Sequence, residues 1–149
     1  DRIPLGGTEL QVLGPLKVYE DTNNCSLVLR LDYLGFSSLF CGDIENSAEL
    51  DLVKSGLDLD VDLLKVAHHG SAGSSSQRFL EAVSPEVAVI SVGPDNSELP
   101  REETLVRLEG VGAKIYRTDT DGDLVFSWDG DQLILWSEYH NTLERIEDP

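Results

Sequence analysis

The chain has 149 residues, 28 Asp plus Glu against 11 Lys plus Arg, 40% apolar side chains and two cysteines. A chain of this size and composition is one acidic globular domain that can bury a core without staples, which excludes collagen-like, disulfide-rich and intrinsically disordered classes. Its net charge of −17 repels phosphate backbones, so any contact with nucleic acid needs metal ions or another segment.

Taken in chain order, Glu9 to Leu13 reads as a short strand ending at the Gly14-Pro15 turn. Ser26 to Tyr33 alternates apolar and polar residues, Leu34-Gly35 turns the chain, and Phe36 to Cys41 returns as the second arm of a β-hairpin. That register sets Cys41 opposite Val28, three residues and ~10 Å along the strand from Cys25. A disulfide needs Cα atoms within about 7 Å, so both thiols are expected to be free and the redox compartment is left open. Glu45 to Lys54 reads as an amphipathic helix presenting Leu50, Val53 and Leu57, with Gly56 as its stop.

The following stretch is the most regular. Leu63 to Ala67 is a short apolar strand, and Ser74 to Gln77 fits a capping box that opens a helix burying Phe79, Leu80 and Val83 before Ser84-Pro85. Val87 to Val92 is a buried strand, Glu102 to Leu108 a helix, and Ala113 to Tyr116 a third strand, an alternation that implies parallel pairing with right-handed crossovers. Leu124 to Trp128 and Gln132 to Trp136 flank Asp129-Gly130, a hairpin expected to close an edge of that sheet. From Glu138 the chain is charged and reads as a fraying tail, giving a domain over 1–137 and a tail over 138–149.

Three polar stations follow predicted strand ends: Gly42-Asp43, His68-His69-Gly70-Ser71 and Gly93 to Asn96. In open α/β sheets ligands bind at that rim. Two of the three histidines are adjacent there. On an extended segment their rings would point apart, one to ligate a metal and one to orient substrate or water. A pair satisfied by backbone carbonyls is the alternative. Asp43 beside a glycine can approach a hard or borderline cation such as Zn²⁺ or Mn²⁺, or can cap the helix that follows. Gly70 to Ser75 can hold an anion at a helix start or serve only as its cap.

Two other motifs fail on spacing. His69-Gly70-Ser71-Ala72-Gly73 has His where a nucleophile elbow has its first Gly, although His140 lies late enough to be a base. Counted from Asp119, the acidic loop lacks the Gly and Glu of a calcium loop at its sixth and twelfth positions. No apolar run approaches the ~20 residues that span a bilayer. The chain is therefore expected to be a soluble piece without a membrane segment, and its start at Asp1 without Met reads as a fragment of something longer.

Asn23 to Leu29, Phe40-Cys41-Gly42-Asp43-Ile44-Glu45, Leu64 to Ser71 and Ala88 to Gly93, extended by Tyr116 to Asp119 with Asp121-Gly122, resemble in order and spacing the metallo-β-lactamase-fold domain of ComEC-type competence proteins. The resemblance runs from about Asp1 to Asp131. It implies the second half of an αββα sandwich, a mixed sheet with flanking helices, within a metal-dependent hydrolase of phosphodiesterase or nuclease type associated with DNA uptake. It implies one or two Zn or Mn ions held in part by Asp43 and His69, with Asp43 and His68 as catalytic residues; Ser71, in the loop that can hold an anion, and Arg101, which can contact a phosphate or lie solvated at the surface, are the candidate substrate contacts.

Two departures stand out. The family's H-x-H-x-D-H cluster occurs nowhere in this chain, which points to a missing amino-terminal half, or a second copy, as the partner of an exposed sheet face. Leu99-Pro100-Arg101-Glu102-Glu103 stands where H-P-H-P-E is common in the family. The expectations are thus a hydrolase domain completed by a missing half and inactive as this chain alone, or a non-catalytic, degenerate module acting as a scaffold. DNA is an expected partner only of the complete protein, and the residues assign no compartment beyond the option of an extracytoplasmic part of a membrane protein.

Overall fold

The computed structural model describes residues 1–146. Seven strands form one mixed sheet in chain order: β1 (Arg2–Leu5), β2 (Thr8–Gly14), β3 (Val28–Tyr33), β4 (Phe36–Phe40), β5 (Leu63–Lys65), β6 (Val87–Ile90) and β7 (Lys114–Arg117). The first four pair antiparallel, whereas β4 to β7 run parallel, joined through the helices α1 (Asn46–Ser55), α2 (Gln77–Val83) and α3 (Glu102–Gly110). A single turn, α4 (Thr118–Asp121), leads to a second sheet of β8 (Leu124–Trp128), β9 (Leu133–Ser137) and β10 (Thr142–Ile146).

Strand periodicity divides the core in two, because successive side chains of a strand face opposite sides of the sheet. Leu64, Ala88 and Ile90 join Ile44, Leu52, Phe79, Leu80 and Leu108 in one cluster. Leu63, Val87 and Tyr116, each one residue out of phase, join Leu133, Leu135 and Ile146 of the second sheet in the other. The molecule is thus α/β, with helix residues in one cluster and a small antiparallel sheet in the other.

The parallel β5–β6–β7 order and the buried trio Phe79, Leu80 and Val83 agree with the sequence reading. The β3–β4 register pairs Leu29 with Phe40, as the predicted hairpin requires, and Cys25 and Cys41 are both free thiols. Four expectations are corrected. The β8–β9 hairpin does not extend the main sheet but starts a second one. In place of a frayed tail, Thr142 to Ile146 pair with β9 and bury Ile146; residues 147–149 lie outside the described residues. In α1, Leu50 is exposed and Ala48, Glu49 and Leu52 are buried, with Glu49 reaching α2 and Asn24 holding the helix start, while Val53 packs partly against the core.

The fourth correction is the capping box, since Ser76 makes no side-chain cap at the start of α2. The carboxylate of Glu49, reaching over from α1, instead accepts from the backbone N–H of Ser75 and of Ser76, the latter at 2.9 Å. Asn24 does the same for α1, its Oδ1 accepting from the N–H of Glu45 at 3.0 Å and of Ala48 at 3.1 Å. Each helix start has otherwise unsatisfied amides, and here both are met from another element. Burial pushes the Glu49 carboxyl up from its ordinary value, against the opposing pull of those amides and of Arg107.

Candidate functional site

The chain leaves β4 through Gly42, whose backbone is left-handed at φ +56° and whose missing Cβ would fall 2.7 Å from that of Ser26. Only glycine fits there, and the next residue, Asp43, is held by its N–H donating to Ser26 Oγ at 3.2 Å. After β5, Ala67–Gly70 forms a tight turn tied back to the first loop by the His68 N–H donating to Gly42 O at 3.0 Å. The stations after β4 and β5 are therefore neighbours on one rim.

His68 and His69 are not extended, which corrects the simple picture of alternating rings. Both occupy the left-handed region, at φ 46° and φ 54°, with ring centroids 6.3 Å apart and planes at 66°. Non-glycine residues in that region cost about 1–3 kcal/mol each and persist where the surroundings hold them. His69 is held by its Nδ1, which lies 2.6 Å from the carbonyl oxygen of Ser91, just past β6. A carbonyl only accepts, so Nδ1 carries a hydrogen, and in the neutral ring Nε2 is the nitrogen with the lone pair. That Nε2 lies 3.9 Å from Asp43 Oδ1, both side chains being about half exposed.

His68 is held in the same way. Its Nδ1 is 3.2 Å from Glu45 Oε1, which also accepts from Asn23 Nδ2 at 3.3 Å. Lys65, at the end of β5, donates to Val66 O at 2.9 Å; burial lowers its pKa, and the charge of Asp43 acts in the opposite direction. The segment before α3 closes the far side of the turn, with the Arg101 N–H donating to Gly70 O at 2.9 Å.

Of the residues singled out from sequence, Asp43, His68 and His69 share this rim. Ser71 is in the adjoining turn, its hydroxyl accepting from the Gly73 N–H at 3.4 Å and its carbonyl from Thr104. Arg101 is anchored by its backbone while its guanidinium turns to Glu98 at 3.4 Å. Asp43 does not cap α1, a place taken by Asn24. His140 bonds Asp121 at 3.1 Å, and Asp119 is paired with Arg117, so neither the triad nor the calcium-loop pattern takes shape. Sequence reasoning missed Glu45 and Ser91 as supports of the two imidazoles. Asn23 and Glu45 stood in the quoted motifs without a role, whereas Ser91 acts through its carbonyl, which no side chain announces.

Asp43 and His69 can serve as two donors to one cation. Their facing atoms, His69 Nε2 and Asp43 Oδ1, are 3.9 Å apart, and imidazole nitrogen with carboxylate oxygen is a donor pair that suits Zn²⁺. Among the described residues no group of three or more His, Cys, Asp or Glu side chains is arranged to hold a metal. Among those residues Asp43 and His69 are a pair, not a group of three. Also among the described residues, no helix is long and apolar enough to cross a membrane.

No family model matches the sequence. Over 107 residues the chain is 34% identical to ComE operon protein 3 of Bacillus subtilis (strain 168), covering 71% of this chain and 14% of that protein. It is 44% identical over 108 residues to Competence protein ComA of Neisseria gonorrhoeae, covering 71% of this chain and 16% of that one. With Recombination protein 2 of Haemophilus influenzae it shares 32% identity over 129 residues, 85% of this chain and 16% of the relative. The chain thus spans only 14 to 16% of the length of these relatives. With the rim motifs and the α/β sheet that carries them, these matches show that the chain belongs to the ComEC-type competence proteins.

Proposed function

We propose that this chain contributes part of a metal-dependent phosphodiester hydrolase domain of metallo-β-lactamase fold, acting in competence and DNA uptake. The observation that carries the reading is the placing of His69 on a strand-end rim, its Nδ1 2.6 Å from Ser91 O and its Nε2 3.9 Å from Asp43 Oδ1. Asp43 and His69 are two donors to a Zn²⁺ or Mn²⁺ ion, and the further donors come from outside the described residues. When bound, such an ion neutralises phosphate charge and activates water, which this acidic surface cannot do alone. His68 handles a proton beside the pair. Ser71 and the half-exposed Arg101, on the turn and the segment packed against it, are the groups placed to contact substrate.

The exposed side of the main sheet supports a completing segment. A cavity of about 380 Å³ opens there between the two sheets, lined by Leu31, Phe36, Phe40, Leu63, Val89 and Trp128 among others. An amino-terminal half that supplied the missing donors would cover it and complete an αββα sandwich; a second copy of this chain is the other candidate to cover it. Bis(p-nitrophenyl) phosphate turnover by the longer protein, lost with chelator and restored by Zn²⁺ or Mn²⁺, tests the reading. Chelator-resistant turnover would remove the metal from it.

The incomplete donor set and the Leu99 and Arg101 substitutions support a second reading, a degenerate module serving as a scaffold. Elemental analysis separates the two. A scaffold carries no stoichiometric zinc or manganese in the longer protein, whereas the hydrolase domain does.

A further inference from the structure

We infer that Glu45, gripped by Asn23 and Asn24, is a positioning residue that fixes His68 as the Nδ1–H tautomer and leaves its Nε2 free to accept a proton. The inference rests on the proposed hydrolase only for what that proton transfer serves. The geometry stands apart from it. Asn24 takes the Glu45 N–H at 3.0 Å, Asn23 donates to its carboxylate at 3.3 Å, and the carboxylate receives His68 Nδ1 at 3.2 Å.

Gly73 closes the other side, where an added Cβ would lie 3.6 Å from the Glu45 carboxyl carbon. An ionised carboxylate can only accept, so the ring nitrogen facing it must carry the hydrogen. Free imidazole in water favours the other tautomer, so a protein-imposed Nδ1–H is a measurable departure. His69 is held in the same tautomer by a different oxygen, the Ser91 carbonyl. In their neutral forms the two imidazoles of the rim therefore have Nε2 as the lone-pair nitrogen, that of His69 facing Asp43 and that of His68 as the acceptor in the proposed reaction. In the proposed reaction a water proton moves to His68 Nε2 while the water oxygen bonds to phosphorus, the P–O bond to the leaving alkoxide breaks, and the imidazolium, its Nδ1–H kept on Glu45, returns the proton to that alkoxide.

The test is nitrogen-15 NMR of the histidine rings in this 149-residue chain at one pH where they are neutral. Wild type should show His68 with a pyrrole-like Nδ1 and a pyridine-like Nε2. E45A should shift it toward the Nε2–H form while His69 is unchanged, E45Q should retain part of the bias through its amide oxygen, and N23A should fall between wild type and E45A. An Nε2–H tautomer in wild type, which needs no variant to fold, would overturn the inference; so would an E45A spectrum identical to wild type.

In the longer protein E45A should lower kcat about 10- to 100-fold with metal content unchanged. Loss of metal in E45A would make Glu45 a ligand or a structural support and end the positioning role. If the tautomer result holds while the wild-type protein turns over no phosphodiester, the hydrolase reading fails and the positioning of His68 survives.

Discussion

Gly70 and Pro100 are packed so closely that a Cβ on Gly70 would fall 2.5 Å from Pro100 Cβ and 3.2 Å from its Cα. Through this contact the segment before α3 is clamped onto the histidine turn, and Gly70 itself is left-handed at φ +80°. Gly70→Ala therefore meets both a disfavoured backbone and an overpacked neighbour. Its expected cost is about 2–4 kcal/mol in urea unfolding. Gly73→Ala, whose nearest new neighbour is at 3.6 Å, is the control and should cost under about 0.5 kcal/mol. Equal effects at both positions would contradict the clamp.

Glu49 couples α1 to α2 through two amides that have no other cap. Glu49→Ala leaves the buried Ser75 N–H and the half-buried Ser76 N–H without this partner and should cost about 3 kcal/mol, whereas Leu50→Ala on the exposed face should cost far less.

The same residue gives a pH signature. Its folded carboxyl titrates above the ordinary 4.5, so between those two values the native state holds more protons than the unfolded one. Stability contributed at this site therefore declines as pH rises from about 4.5 through the folded value, and the penalty is complete above it. Unfolding free energies measured across that range should decline less steeply in Glu49→Gln. A slope unchanged by the substitution would assign the titration elsewhere.

The two thiols should behave differently. Cys41 is fully buried and its burial pushes its pKa up, whereas Cys25 is partly exposed and contacts the Tyr19 backbone. Ellman's reagent should label Cys25 in the native chain and Cys41 only as the protein unfolds. Absence of any reactive thiol in denaturant without reductant would reveal a disulfide and refute the hairpin register argument.

The sequence carried the parallel strands because their apolar runs and intervening helices are local patterns, with Phe79, Leu80 and Val83 falling on one helix face. It also carried the meeting of Asp43 and His69, since both follow the ends of adjacent strands. The rest depends on contacts between distant segments. Leu50, Val53 and Leu57 have helical spacing, yet α1 buries Ala48, Glu49 and Leu52, its start held by Asn24 and its Glu49 bonded to the start of α2. Thr142 to Ile146 looked like a tail because Glu144 and Arg145 are charged; Ile146 and the pairing with β9 decide otherwise. Alternation identified the β8–β9 hairpin as a pair of strands but not which sheet they would join.

The most direct measurement is calorimetric titration of Zn²⁺ and of Mn²⁺ into the longer metal-stripped protein, comparing wild type with Asp43→Asn and His69→Ala. Asp43 is half exposed on the rim, so Asp43→Asn should leave unfolding within about 0.5 kcal/mol of wild type, whereas His69→Ala, which loses the bond to Ser91 O, should cost about 1 kcal/mol and still fold. Wild type should take up metal stoichiometrically, and each variant should bind it at least tenfold more weakly or not detectably. Uptake of equal affinity and stoichiometry in all three proteins would contradict the metal role of both side chains.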